Sequence, residues 1–448
     1  MKLAILGGGG FRVPLVFRAL LRDAGPARIT QVALCDADPA RLAVIAAVLT
    51  SLAADAPAGL PAPRVTTHTD VRPALSGADF VFAAVRVGGL AGRVTDERVA
   101  IRHGVLGQET TGAGGIAYGL RTIPVMREIA RVVAAEAAGA WLVNFTNPAG
   151  MITEALTPIL GDQVIGICDS PLGLARRVAR ATGHRIEECR IDYAGLNHLG
   201  WLQGLTTGAD DLLARFLADE AAISGTEEGQ VFGADWIRGL GAVPNEYLHY
   251  YYARREAVAE QRALRHVTRG EFLARQQSAF YEQAGGARHT AREAWESVLA
   301  ERNATYMASA RAGGEERHEE DLVSGGYEGV ALALMRALSG AGDAELILNV
   351  RAGAQLALPA DAVVEVPSRV TRGLVTPLPT SPLALHMSGL VQQVKAVERL
   401  TIEAATTGNP DAAVRAFALH PLIDSVSAAR ELFADYRHAH RELGALFS

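Results

Sequence analysis

The chain of 448 residues contains only three cysteines, Cys35, Cys168 and Cys189. An odd number of widely spaced cysteines argues against a disulfide framework and indicates a reducing compartment. No apolar run reaches the roughly 18 to 20 residues of a membrane span, and glycines interrupt the apolar start M-K-L-A-I-L before the core of a signal peptide forms. We therefore expect a soluble, cytoplasmic protein.

The sequence also lacks a strong excess of either charge, with 43 lysines and arginines against 49 aspartates and glutamates. Because the chain has no excess of positive charge, we expect neither nucleic acid nor a membrane surface as a partner. We expect a small molecule instead. The length exceeds that of one ordinary hydrophobic core. We therefore predict two domains, residues 1–195 and 196–448.

The chain begins with a short apolar run, K-L-A-I-L, that ends in four glycines and is followed by a helical pattern. A strand, a glycine turn and a helix in this order form the usual cradle for a pyrophosphate. The fingerprint G-x-G-x-x-G is incomplete, because Arg12 stands where the third glycine belongs. The turn consists of Gly7, Gly8, Gly9 and Gly10.

A second apolar run, I-T-Q-V-A-L-C-D-A-D, ends at Asp36. An acidic side chain at this distance from the glycines binds the ribose hydroxyls and favours NAD over NADP. The alternative is that Asp36 or Asp38 only caps the next helix. We favour ribose recognition, because strand, glycines, helix, strand and acid arrive in the expected order.

Two arginines, Arg86 and Arg93, follow a third buried run at residues 78–85. A guanidinium group pairs with phosphate through a rigid fork, so both are candidates for anion binding, although solvated loop charge is the ordinary alternative. The segment G-Q-E-T-T-G-A-G-G (107–115) comes next. It is polar and rich in glycine, which predicts a binding loop or a disordered connection rather than a core element.

Three later segments each run from an apolar stretch into polar side chains: W-L-V-N-F-T-N-P (141–148), V-I-G-I-C-D-S-P (164–171) and I-D-Y-A-G-L-N-H-L-G-W (191–201). Ligands of a parallel α/β sheet bind beyond the carboxyl ends of its strands. We therefore expect Asn147, Cys168, Asp169 and His198 to converge on one crevice.

Cys168 and His198 are the candidate metal ligands. They lie thirty positions apart, so no short metal motif joins them, and a single cysteine or histidine is more often a packed core residue. Their softness favours zinc over manganese. Two protein ligands leave coordination positions open, as a catalytic ion requires.

Beyond residue 195 the pattern changes to longer helices and mixed strands, with acidic links such as A-G-G-E-E-R-H-E-E-D (312–321). The segment P-N-E-Y-L-H-Y-Y-Y (244–252) contains four tyrosines, most of which we assign to packing. Residues 346–367 predict paired strands, and residues after about 385 predict helices.

Taken in order, the blocks G-G-G-G, R-V-G-G-L-A-G-R, G-Q-E-T-T-G-A-G-G, N-F-T-N-P-A-G, G-I-C-D-S-P, G-L-N-H-L-G-W and P-N-E-Y-L-H-Y-Y-Y closely resemble the family 4 glycoside hydrolases, especially the 6-phospho-β-glucosidase branch. The resemblance covers about residues 1 to 270 and extends more weakly towards the end. This NAD-dependent family is an exception to two-carboxylate glycoside hydrolysis.

The resemblance implies an α/β fold like that of lactate and malate dehydrogenases, with a Rossmann-like NAD-binding domain and a second, mixed α+β domain. It implies NAD and Mn²⁺, or another divalent metal, as cofactors. It also implies a phosphorylated or otherwise anionic glycoside as substrate, and a homodimer or homotetramer. The implied route is oxidation at C3, loss of the C2 proton, elimination of the aglycone from C1, addition of water and return of the hydride.

The resemblance also implies roles for single residues. Cys168 and His198 match the metal ligands, Tyr247 the base at C2 and Asp169 the position associated with protonation of the leaving group. Arg93, Asn147 and Arg269 match substrate-binding positions. The predicted cofactor-binding residues are Gly7, Gly8, Gly9, Gly10, Phe11, Asp36, Arg41 and Arg86.

Two positions depart from the family pattern. Asp169 follows the metal cysteine where β-acting relatives commonly have asparagine and α-acting relatives have aspartate, and F-R-V-P replaces the common S-x-x-T-P after the glycines. These departures leave an α-glycosidase or a sulfoquinovosidase of the same family as alternatives. Two alternatives from other classes are a 2-hydroxyacid dehydrogenase of the same fold and a non-catalytic NAD sensor.

Overall fold

The computed structural model describes residues 1–263, 267–304 and 326–448, so the predicted acidic link at 312–321 lies outside the described residues. The strands of the described residues belong to one sheet. In chain order they are β1 (Lys2–Leu6), β2 (Gln31–Cys35), β3 (Arg64–His68), β4 (Phe80–Ala83), β5 (Trp141–Asn144), β6 (Val164–Gly166), β7 (Arg190–Leu196), β8 (Leu199–Thr207), β9 (Asp210–Asp211), β10 (Val243–Pro244), β11 (Ala344–Arg351), β12 (Val363–Thr371) and β13 (Leu374–Pro377).

One half of the sheet is parallel and has the order β3-β2-β1-β4-β5-β6. This is the strand order of the dinucleotide-binding fold, in which the direction of winding changes between β1 and β4. The carboxyl ends of β1 and β4 therefore border the crevice where such folds bind their ligands. The predicted Rossmann-like arrangement is confirmed.

The other half is antiparallel and continues from β6 in the order β11-β12-β7-β8-β10, with β13 beside β12 and β9 beside β8. The paired strands predicted at 346–367 correspond to β11 and β12. Because β11 pairs with β6, the sheet is continuous between the two halves. The proposed domain boundary at residue 195 stays a prediction.

Helices cover both faces of the sheet. Among the described residues they are α1 (Val13–Leu21), α2 (Pro39–Leu52), α3 (Val71–Leu75), α4 (Gly89–Arg102), α5 (Gly112–Glu136), α6 (Ala149–Leu160), α7 (Ser170–Ala181), α8 (Leu212–Ala218), α9 (Glu220–Ser224), α10 (Glu227–Phe232), α11 (Ala234–Leu240), α12 (His249–Tyr252), α13 (Arg254–Ala263), α14 (Arg269–Gly286), α15 (Ala291–Ala304), α16 (Tyr327–Leu338), α17 (Leu385–Thr407), α18 (Pro410–Leu419), α19 (Val426–Ala439) and α20 (Arg441–Leu446). The prediction of helices after residue 385 is confirmed.

The side chains of β1 alternate between two hydrophobic cores. Leu3 and Ile5 belong to the core that contains α1 and α2, whereas Ala4 and Leu6 face the core that contains α5 and α6. A strand that is buried on both faces must be apolar at every position, which explains the uninterrupted run L-A-I-L from Leu3 to Leu6.

The prediction of a loop over residues 107–115 is wrong in its second half. Helix α5 begins at Gly112, and its glycine-rich first turn is buried. A Cβ on Gly114 would lie 2.1 Å from the carbonyl oxygen of Gln108, and one on Gly115 would lie 2.6 Å from that of Thr110. The glycines therefore let the helix pack against its own entry loop, and they do not indicate flexibility.

None of the helices in the described ranges combines the length and the apolar composition that crossing a bilayer requires. The cytoplasmic location stays a prediction.

Candidate active site

A cavity of about 1730 Å³ opens at the carboxyl ends of the parallel strands. Except for Gly8 and Gly9, every residue that the sequence singled out for the site lines it. The cavity therefore brings the glycine turn, the arginines and the predicted metal ligands together, as the strand topology requires.

The glycine turn joins β1 to α1 with close backbone contacts. Gly7 has a φ of +80°, and a Cβ there would lie 2.4 Å from the carbonyl oxygen of Ala84. The position of Arg12 does not need glycine, because Arg12 has a right-handed helical conformation with a φ of −88°. The incomplete fingerprint is therefore compatible with the turn.

Asp36 and Asp38 have different roles. Asp38 caps α2 by accepting from the backbone N–H groups of Ala40 and Arg41. Asp36 lies at the end of β2, where its carboxylate accepts from the N–H of Gly9 at 3.0 Å. The helix cap thus does not use Asp36, which supports its predicted role in ribose binding.

Tyr281 of α14, which the sequence did not single out, contacts the glycine turn. Its hydroxyl donates to the carbonyl oxygen of Gly9 at 2.6 Å, and the guanidinium of Arg41 lies 4.4 Å from its ring centre. The ring of Phe11 packs against Phe280 and Trp295. A cofactor contact by the Phe11 ring stays a prediction.

Arg86 and Arg93 share the carboxylate of Glu109. Arg86 Nη1 lies 2.6 Å from one oxygen and Arg93 Nη1 lies 2.7 Å from the other. Although burial raises the pKa of Glu109, the two guanidinium groups outweigh it and lower the pKa to about 2. The carboxylate is therefore ionised and holds both arginines at the cavity wall.

Arg269 lies at the start of α14, next to Arg93. The two are connected through Glu97, which accepts from Arg93 Nε at 2.8 Å and from the N–H of Gly270 at 2.7 Å. Arg302 also lines the cavity, and burial together with the charges of three other arginines lowers the pKa of Arg302 to about 9. The three are Arg12, Arg93 and Arg269.

This set of guanidinium groups, which we call the arginine cluster, consists of Arg12, Arg93, Arg269 and Arg302. Mutual repulsion of like charges is relieved when an anion with several oxygens binds among them. The cluster is a candidate site for such an anion. Arg12 and Arg302 were not predicted, because only the fold brings them to the cavity.

Asn147 lies in the loop between β5 and α6, next to a cis peptide bond to Pro148. The loop is held by the buried Asn144, whose amide donates to the carbonyl oxygen of Thr146 at 3.2 Å. Within the described ranges, the buried Oδ1 of Asn147 has no hydrogen-bond partner. A buried oxygen of this kind calls for a donor or a cation from a ligand.

Cys168 and Asp169 follow β6, and Asp169 is the first residue before α7. Cys168 is buried, with 6% of the residue exposed. Burial first, and then the charges of Glu365 and Asp169, raise the pKa of Cys168 well above its ordinary range. A bound cation reverses this balance, because metal coordination deprotonates a thiol.

His198 is the second residue of the two-residue turn between β7 and β8 and has a φ of +63°. Its Nδ1 lies 3.1 Å from Thr110 Oγ1, which leaves Nε2 for a ligand. Burial lowers the pKa of His198 to about 4. The ring is therefore neutral at physiological pH, the state that binds metals.

The donors near Cys168 and His198 fit a divalent transition metal. A thiol, a neutral imidazole and an unpartnered amide oxygen all border the cavity. The described residues contain no group of three or more histidine, cysteine, aspartate or glutamate side chains that could hold a metal. The predicted site has only two such side chains, Cys168 and His198, and is therefore smaller than a group of three. The metal site stays a prediction.

Glu246 is a further buried carboxylate that the sequence analysis missed. Ser170 Oγ donates to its Oε1 at 2.6 Å, whereas its Oε2 has no hydrogen-bond partner in the described parts of the chain. Burial raises the pKa of Glu246 to about 7. Its only sequence signal was its position beside Tyr247.

The strand order, the glycine turn and the cavity define an α/β protein of the dehydrogenase-like, dinucleotide-binding class. Comparison with known families is more specific. Residues 2–184 match the description Family 4 glycosyl hydrolase, and residues 193–423 match Family 4 glycosyl hydrolase C-terminal domain. The chain therefore belongs to family 4 of the glycosyl hydrolases, and the predicted family is confirmed.

Known relatives extend over nearly the whole chain. A probable 6-phospho-beta-glucosidase of Bacillus subtilis is 29% identical and covers 98% of this chain and 96% of its own. A 6-phospho-alpha-glucosidase of Leptotrichia buccalis is 28% identical and covers 98% of both chains. The solved structure of the 6-phospho-beta glucosidase of Thermotoga maritima with manganese, NAD⁺ and glucose-6-phosphate is 27% identical, has a TM-score of 0.82 and covers 99% of both chains.

Proposed function

We propose that the chain is an NAD- and Mn²⁺-dependent glycosidase that hydrolyses 6-phospho-β-glucosides through the oxidation and elimination route of its family. The observation that carries this proposal is one cavity that joins the glycine turn, the arginine cluster and the Cys168–His198 pair. A plain dehydrogenase does not need the last of these. The names of the relatives support the same substrate class.

The arginine cluster supports an anionic group on the substrate. Guanidinium groups bind phosphate oxygens with two parallel hydrogen bonds, and several of them around one cavity match a dianion better than a neutral hydroxyl. Arg93 and Arg269 would hold the group on C6, with Arg302 beside them. Asn147 would bind a sugar hydroxyl through its unpartnered Oδ1.

Gly7 to Gly10 and Asp36 would hold NAD, and Cys168 and His198 would hold Mn²⁺. When bound, these groups supply a hydride acceptor at the sugar and a Lewis acid for its C2 and C3 oxygens. Thr110 would orient the imidazole through Nδ1. A partner of this kind fixes the tautomer of a ligating histidine.

Tyr247 and Asp169 would move protons. The Tyr247 ring lies against the ring of His198, the proposed metal ligand, and its hydroxyl would take the proton from C2. Asp169 would protonate the leaving oxygen. An acid and a base on different elements are what an elimination needs, because the two protons leave and arrive at different atoms.

Asp169 favours a second candidate, a 6-phospho-α-glucosidase, since the family resemblance associates aspartate at this position with α-acting enzymes. A 6-phospho-alpha-glucosidase occurs among the relatives. Activity against aryl α- and β-glucosides with phosphate, sulfonate or hydroxyl at C6 tests both readings. We expect cleavage of the 6-phospho-β-glucoside, its loss on chelation of the metal, and exchange of the C2 hydrogen with solvent deuterium.

Cleavage that persists without NAD and metal would reject the proposal. Stoichiometric accumulation of NADH with a hydroxy acid would favour a dehydrogenase, and a purified protein without bound manganese would favour a sensor. A homodimer or homotetramer stays a prediction, which light scattering tests.

A further inference from the structure

Glu365 of β12 is fully buried beside the predicted metal site. Its Oε1 accepts from Asn197 Nδ2 at 3.1 Å and from Asn349 Nδ2 at 2.9 Å, and its Oε2 accepts from the hydroxyl of Tyr193 at 3.3 Å. All three donors are neutral. Removing a carboxylate from water is unfavourable in free energy, and hydrogen bonds from three neutral donors offset only part of this desolvation penalty.

Asn197 connects this carboxylate to two loops of the site. It directly precedes His198 in the turn between β7 and β8. Its Oδ1 accepts from the N–H of Ala149 at 3.2 Å, at the start of α6 and just after the Asn147–Pro148 bond. The side-chain amide of Asn197 therefore links the loop of Asn147 to the turn of His198, and Glu365 fixes this amide by accepting a hydrogen bond from its Nδ2.

The surroundings leave Asn197 little freedom. A Cβ on Gly150 would lie 3.2 Å from Asn197 Cβ and 3.2 Å from Asn349 Oδ1, so α6 packs closely against both side chains. His198 has a left-handed backbone, which a residue with a Cβ adopts only where its neighbours enforce it. The hydrogen bonds of Asn197 are such a constraint.

We propose that Glu365 is a positioning residue for the metal site, because through Asn197 it fixes both the turn that carries His198 and the loop that carries Asn147. This role rests on the proposed function. Glu365 does not touch the ligands of the ion and acts only through the geometry of Asn197.

The test uses Glu365→Leu, which has a similar volume and removes both acceptor oxygens, so that Asn197, Asn349 and Tyr193 lose their common partner. We expect the affinity for Mn²⁺, measured from the EPR signal of free Mn²⁺ at saturating NAD⁺, to fall about 10- to 100-fold. The affinity for NAD⁺ alone should not change. Tyr193→Phe is the matched control, because it removes one hydrogen bond of Glu365 without touching Asn197, and it should bind Mn²⁺ like the wild type.

A double-mutant cycle separates positioning from general stability. Asn197→Ala should weaken Mn²⁺ binding to the same extent, and the double variant should lose little more, because both changes break one connection. If Glu365→Leu does not fold, Asn197→Ala compared with Tyr193→Phe carries the test.

Unchanged Mn²⁺ affinity in Glu365→Leu, additive losses in the cycle, or an equal loss of NAD⁺ affinity would overturn the role of Glu365 alone. In the reserve comparison, equal Mn²⁺ affinities of Asn197→Ala and Tyr193→Phe would do the same. A wild-type protein that binds no Mn²⁺ would reject the proposed function and this role with it.

Discussion

The imidazole of His198 and the phenol of Tyr247 are stacked, with ring centres 3.8 Å apart and ring planes 7° from parallel. The two residues lie on different elements, a hairpin turn and the 3-10 turn Glu246–Leu248. The predicted metal ligand and the predicted base thus orient each other through a flat contact. This contact allows the two roles to be separated by mutation.

Tyr247→Phe keeps the stacked ring and removes only the hydroxyl. We expect kcat for a 6-phospho-glucoside to fall about 10²- to 10⁴-fold, the range for loss of a general base, while Mn²⁺ affinity stays unchanged. Steady-state kinetics and metal titration check this. Tyr251→Phe, which changes a partly buried ring that stacks on His420, should retain activity. Equal losses in both variants would contradict the assignment of Tyr247.

Asp36 and Asp38 offer a matched pair for the cofactor site. Asp36→Asn should lower NAD affinity about tenfold and raise the affinity for NADP relative to NAD, because the negative charge that repels a 2′-phosphate is removed. Asp38→Asn should change neither, because asparagine caps a helix as well as aspartate does. Fluorescence titration with both nucleotides measures the ratio. If the affinity ratio changed in Asp38→Asn but not in Asp36→Asn, Asp36 would not be the residue that binds the ribose.

Local patterns in the sequence predicted the parallel half of the sheet and the convergence of Cys168 and His198 on one cavity. Both follow from short-range rules, because apolar runs mark buried strands and strand ends meet at one edge. The loop prediction for the glycine-rich start of α5 was wrong because this segment depends on a tertiary contact and not on a short-range rule. Its glycines are needed because a Cβ would collide with the backbone of Gln108 or Thr110, and composition does not reveal such a contact.

The residues that the sequence missed are brought to the site by tertiary contacts. Tyr281, Arg302 and Glu365 belong to α14, α15 and β12, far along the chain from the glycine turn and from His198. None lies in a motif, and each is recognisable only from what it contacts. A single sequence does not show which distant residues pack together, so these contacts could not be predicted.

Arg302 should contribute to binding of the substrate anion. We expect Arg302→Met to raise KM for a 6-phospho-glucoside about 10- to 100-fold with a smaller change in kcat, because a charge-assisted hydrogen bond to phosphate is lost in the ground state as well as in the transition state. Arg336→Met is the control, since Arg336 lies at the end of α16 with a half-exposed side chain 3.8 Å from Asp23. A fall in kcat at constant KM would show that Arg302 acts on the chemistry instead.

Glu246 should make stability depend on pH in a direction opposite to most carboxylates. Burial raises the folded pKa of Glu246 from 4.5 to about 7, so the folded state binds the proton more tightly than the unfolded state. Ionisation therefore costs stability, and this cost grows as the pH rises from about 4.5 to about 7 and is constant above that. By linkage it reaches about 3 kcal/mol.

Glu246→Gln removes this dependence and keeps an oxygen that can accept from Ser170. Relative to the wild type, the variant should therefore gain about 3 kcal/mol in free energy of unfolding between pH 4.5 and pH 8. Urea denaturation at a series of pH values, without NAD and metal, measures the difference. A difference that does not change with pH would mean that Glu246 stays ionised when the protein folds, because a neighbouring positive charge or water then offsets its burial.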